Sequence, residues 1–143
     1  MNKLLNLTLA LVLVVTVLSC KNSTEEPPLL NIGDVIRIND ATTADLNDGV
    51  PYLCDSEGDI KSLLGDKVGL DVDFSQNVVI LIKDVALQGV DKIDADMDYS
   101  DGVYDINVKV TMNYTNALDV WCIGVIAPKL DGDATRLNIE YSR

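Results

Sequence analysis

The 143-residue chain carries 23 Asp and Glu against 11 Lys and Arg, contains no histidine and has a formal net charge of −12. That charge repels nucleic acid and anionic lipid headgroups, and the missing histidine excludes hydrolysis through a histidine relay and removes the usual zinc or iron ligand. With 48% hydrophobic residues and abundant Val, Ile and Leu, the chain has the means to close a core and is not a disordered acidic tail.

A cationic start from Met1 to Lys3 leads into an apolar run from Leu4 to Leu18, followed by Ser19 and Cys20. This resembles the export signal of bacterial lipoprotein precursors, with Val17-Leu18-Ser19-Cys20 as the lipobox. The resemblance implies that residues 1–19 are removed and that Cys20 is lipidated. A membrane span needs about 20 apolar residues, whereas this run is shorter and holds Asn6 and Thr8. Removing the first 19 residues leaves 124, enough for one domain, and losing Lys3 with them takes the formal charge from −12 to −13. Several acyl chains, at about 0.8 kcal/mol per buried methylene, make the attachment effectively permanent, so the lipid is the expected contact with the membrane.

Lys21 to Pro28 reads Lys-Asn-Ser-Thr-Glu-Glu-Pro-Pro, a polar stretch stiffened by two prolines and expected to act as a tether. It also resembles the lysine-plus-acid signals of surface lipoproteins of the Bacteroidota, although Asn22 to Thr24 separate the lysine from the acids. The expected organisation is a signal over 1–19, a lipidated cysteine and tether over 20–31, and one β-rich domain over 32–143. The expected location is the outer membrane of the cell envelope, on its surface or its periplasmic face.

The first strand is expected over Asp34 to Ile38, and Asn39 to Asn47 is too polar and irregular to assign. Asp48-Gly49 marks a turn before a short strand from Val50 to Cys54, where Pro51 points to a sheet edge. A short helix follows: Ser56 caps it, Asp59 takes the reciprocal capping place, Ile60, Leu63 and Leu64 form an apolar face, and Gly65 closes it. Gly58 keeps it short, and its expected role is to plug one end of the sheet. Val78 to Ile82 is a continuous apolar run rich in β-branched residues, the pattern of a strand buried on both faces.

Asp101-Gly102 predicts a two-residue hairpin turn of the primed type. Pairing outward from it sets Tyr99 opposite Tyr104, Met97 opposite Ile106, Ala95 opposite Val108 and Ile93 opposite Val110. The other face pairs Asp98 with Asp105, Asp96 with Asn107 and Asp94 with Lys109, so one face is wet and one buried. Leu118 to Ala127 reads as another central strand, stopped by Pro128. After a turn at Asp131-Gly132-Asp133, Leu137, Ile139 and Tyr141 alternate with polar neighbours in a final half-buried strand. These elements predict a mainly β fold, at the margin of α+β: an antiparallel β-sandwich or partly open β-barrel with one short helix.

The Val72-Asp73-Phe74-Ser75 turn feeding Val78 to Ile82, together with Trp121 to Leu130, is similar to small lipoproteins of the Bacteroidota. More distantly, it resembles the β-rich domain of protease-complex accessory lipoproteins. That resemblance covers core strands and implies protein binding without chemistry, including binding or inhibition of a co-exported protease.

Candidate chemistry is sparse, and no cofactor is expected. Asp94-x-Asp96-x-Asp98 with Asp105 has the outline of a calcium loop, but its sixth place is Tyr99 where a sharp bend needs glycine. The wet face of the hairpin accounts for the same aspartates without a metal. Trp121, between Val120 and Ile123, is expected in the core rather than as a partner's anchor. With Cys20 carrying lipid, Cys54 and Cys122 are expected to form a disulfide in an oxidising envelope, closing a loop of roughly 70 residues for about 4 kcal/mol. The expected function is a non-catalytic protein-binding or accessory module with a partner in the envelope. The rival is a carboxylate-dependent hydrolase acting on surface glycans.

Overall fold

Two strands that are apolar on both faces can be satisfied only by having a layer on each side, and this requirement organises the molecule. The structure, a computed structural model, describes residues 34–39, 44–66 and 68–143. The signal, Cys20 and the tether lie outside them. In chain order the elements are β1 Asp34–Arg37, β2 Pro51–Cys54, α1 Glu57–Leu64, β3 Asn77–Ala86, β4 Val90–Ser100, β5 Val103–Met112, β6 Asp119–Pro128 and β7 Ala134–Ser142. They form a four-stranded sheet ordered β1-β6-β3-β2 and a three-stranded sheet ordered β4-β5-β7. Neither sheet closes on itself, so the fold is a β-sandwich and not a barrel. Among the described residues no helix is long and apolar enough to cross a membrane.

Between the sheets, Val78, Ile80 and Ile82 of β3 and Trp121, Ile123, Val125 and Ala127 of β6 meet Tyr104, Ile106, Val108 and Val110 of β5. Each Val or Ile among them contributes roughly 1.5–3 kcal/mol when fully buried. The intervening β3 residues Val79 and Leu81 face the other way, into a second core with Cys54, Ile60, Leu64 and Cys122. The helix therefore covers the outer face of the first sheet and does not plug its end, because that face is as apolar as the inner one. Its expected termini hold: the Ser56 side chain accepts from the Asp59 N–H, and Gly65, at φ 82°, donates its N–H to the Lys61 carbonyl.

The β4–β5 hairpin has the register expected from its turn, from Tyr99 opposite Tyr104 to Ile93 opposite Val110. Asp101 and Gly102 both have positive φ, 53° and 79°, as the primed turn requires. One pairing departs from an all-antiparallel sandwich, since β7 runs parallel to β5, with Val103 opposite Ala134 and Thr111 opposite Ser142. The cause is the route of the chain. β6 ends at Pro128 in the first sheet, and the turn over 129–133 carries it across to the second, so β7 begins at the same end as β5.

The connections define two unlike ends of the sandwich. At one, the hairpin turn abuts the β6–β7 crossover: the Tyr99 hydroxyl donates to the Asp131 carbonyl at 2.5 Å, and a Cβ on Gly132 would overlap the Gly102 backbone. β1 also starts here, with Asp34 opposite Ile126. At the other end lie the β3–β4 and β5–β6 connections and the last residues of β7.

Candidate interaction surface

Connections that cross between sheets have no ladder to satisfy their backbone, so side chains must do it. At the far end of the sandwich from β1's start, the Asn113 N–H donates to the Gly89 carbonyl at 2.8 Å. The Gly89 N–H donates to Thr115 Oγ1 at 2.9 Å, and the Thr115 hydroxyl donates in turn to Asn113 Oδ1 at 2.7 Å. Asn113 Nδ2 donates to Asp91 at 2.9 Å, and the Val90 N–H to the Asp119 carboxylate at 2.9 Å. The two connections are thereby stitched into one unit. Gly89 is required within it, because a Cβ there would sit 2.6–2.8 Å from Thr115 and Asn113 side-chain atoms.

This polar scaffold holds three large apolar side chains in water: Leu87 is 77% exposed, Tyr114 85% and Leu118 68%. Beside them a cleft of about 220 Å³ is lined by Val85, Leu87, Met112 and Tyr141. Tyr141 is fixed at its rim, accepting from Trp121 Nε1 at 3.3 Å and donating to Asp84 at 2.6 Å. Burial and the Asp84 carboxylate push its phenol well above the usual tyrosine range, so it stays neutral. A rigid site that leaves apolar side chains exposed beside an apolar recess is suited to holding another molecule's apolar groups.

The sequence pointed elsewhere for some of these residues. Leu118 reads as the start of a buried strand, but β6 begins one residue later, and Leu118 is left on the connection. Tyr114 lies beyond the hairpin, because β5 ends at Met112. The available signal was the position of both residues in the polar stretch Asn113-Tyr114-Thr115-Asn116-Ala117-Leu118. Trp121 is in the core, as its neighbours implied.

Cys54 and Cys122 are not bonded. β3 lies between their strands, and the register sets Cys54 opposite Val79 but Cys122 opposite Lys83. Two strand spacings sideways and four residues lengthwise place them about 16 Å apart, whereas a disulfide needs Cα atoms within about 7 Å. They are two separate thiols in the outer core. Burial, with Asp59 and Asp55 nearby, pushes Cys54 up to about 12, and burial pushes Cys122 up to about 11.

Asp94, Asp96 and Asp98 point in a row from the outer face of β4 rather than wrapping a loop. Asp94 is engaged by Lys92 at 2.7 Å, and Asp105 by Arg136 at 2.7 Å. Among the described residues no group of three or more His, Cys, Asp or Glu side chains converges as metal ligands. A second cleft of about 340 Å³ lies at the end where β1 starts, lined by residues including Leu53, Asp55, Lys129, Asp131 and Asp133. Its three carboxylates are exposed, and Asp55 is paired with Lys129 at 3.7 Å. A general acid for glycoside cleavage is instead held in apolar surroundings.

No family model, curated protein or solved structure matches this chain.

Proposed function

We propose that the protein is a lipid-anchored, non-catalytic binding module of the bacterial cell envelope, whose partner is another envelope or secreted protein. The observation that carries the binding reading is the stitched tip at which Leu87, Tyr114 and Leu118 stand exposed. Apolar side chains held in water by a rigid scaffold gain free energy only when something covers them, and a prearranged surface loses little entropy on binding. The anchor rests on the lipobox at Val17 to Cys20, and the tether on the composition that follows it. In its finer form, supported by the likeness to accessory lipoproteins, the module binds or inhibits a co-exported protease.

Crosslinking in intact cells, followed by purification on a tagged copy of the full chain, tests the reading. One specific protein partner is the expected result. If no partner is recovered, while the purified protein cleaves a surface glycan and a single Asp or Glu substitution abolishes cleavage without unfolding it, the module is a hydrolase instead.

A further inference from the structure

Resting on the reading as a binding module, we propose that this tip seats a segment of a partner protein in which large apolar side chains are flanked by lysine or arginine. Leu87, Tyr114 and Leu118 provide the apolar contact, and the 220 Å³ recess between Val85, Met112 and Tyr141 receives one inserted side chain. Charge selects the flanks. Asp48, Asp84, Asp91, Asp94 and Asp119 outnumber Lys83, Lys92 and Arg143 around the tip, and Lys83 is already engaged by Asp48 at 3.6 Å and Lys92 by Asp94 at 2.7 Å. A basic segment is therefore attracted, and an acidic one is repelled.

The same charges argue against the two other occupants. A second copy of this chain would bring a like tip, with the same carboxylates, against this one. A membrane with anionic headgroups is also repelled. The path of the chain agrees, because Asp34 pairs with Ile126 beside the Pro128 end of β6, whereas the tip adjoins Asp119 at its other end. Ten residues of strand separate the ends by about 30 Å, so the residues preceding β1 attach opposite the tip.

The test places a photoreactive benzoylphenylalanine at Tyr114 in the full-length protein in its own cells, with a second version carrying it at Asn107 on the outer face of the second sheet. The expected product from position 114 is one adduct. Its partner peptide, sequenced by mass spectrometry, carries apolar residues next to Lys or Arg. Leu87→Asp with Leu118→Asp changes only exposed positions, and adduct yield should fall by about tenfold or more while the melting temperature holds, as expected when interface anchors are removed. An adduct with a second copy, with lipid or with an acidic segment overturns the proposal, as does a yield that the double substitution leaves unchanged. An adduct from position 107 alone overturns the tip but leaves the binding module standing. No adduct from either position, with no partner on purification, overturns both.

Discussion

Tyr104 ties the two sheets together with one hydroxyl, which donates to the Pro128 carbonyl at 2.9 Å and accepts from the Leu130 N–H at 3.0 Å. Tyr104→Phe keeps the ring in the core but leaves both backbone groups without that partner. The expected cost is about 1–3 kcal/mol, read from urea unfolding. Gly132→Ala should cost a comparable amount, about 1–3 kcal/mol, because the new Cβ meets the Gly102 backbone and neither turn can yield cheaply. The thiols supply a third expectation. Cys54 and Cys122 are fully buried, so iodoacetamide at pH 8 should leave both unmodified in the folded protein and label both after denaturation without reductant. Their folded values, about 12 and about 11, lie above the ordinary thiol value near 9, so the folded state holds these protons where the unfolded chain releases them. Their contribution to stability is therefore full below pH 9 and lost as pH rises through the window from 9 to 12. Cys54→Ala with Cys122→Ala should flatten that alkaline decline in pH-dependent unfolding curves.

At the scale of elements, the hairpin register was legible from Tyr99 opposite Tyr104 to Ile93 opposite Val110. Its turn demands positive φ at two positions, and its alternation forbids a slip of one residue, so a single register satisfies both. The helix was legible at its ends for a similar reason, since Ser56 and Gly65 act on the backbone within a few residues. Ser56→Ala should cost about 1 kcal/mol in thermal or urea unfolding. Removing the exposed Lys61–Glu57 pair on the same helix should leave the melting temperature unchanged, because solvent screens it. The aspartates of β4 are spread along a strand, and Asp94 is engaged by Lys92, so calcium and chelator should give the same melting curve. What the element pattern does not carry is where each face goes. β3 and β6 were identifiable as buried on both sides, but nothing in their alternation says that α1 supplies the second cover.

For the whole molecule, the proposed attachment and the proposed recognition surface fall at opposite ends, because β1 starts opposite the tip. Cys20→Ala should leave an unprocessed or soluble product that no longer enters the detergent phase; unchanged partitioning would mean that the apolar run itself holds the protein. The strand pattern, the hairpin register and the helix caps were determined by the sequence itself, because each depends on residues within a turn, a strand or a helix end. The parallel pairing of β7 with β5, the separation of Cys54 from Cys122 by β3 and the exposure of Leu87 and Leu118 were decided only in the tertiary structure. Each depends on which sheet a connection crosses to, a choice set by burying both faces of β3 and β6 at once, and residues far apart in the chain share in that burial.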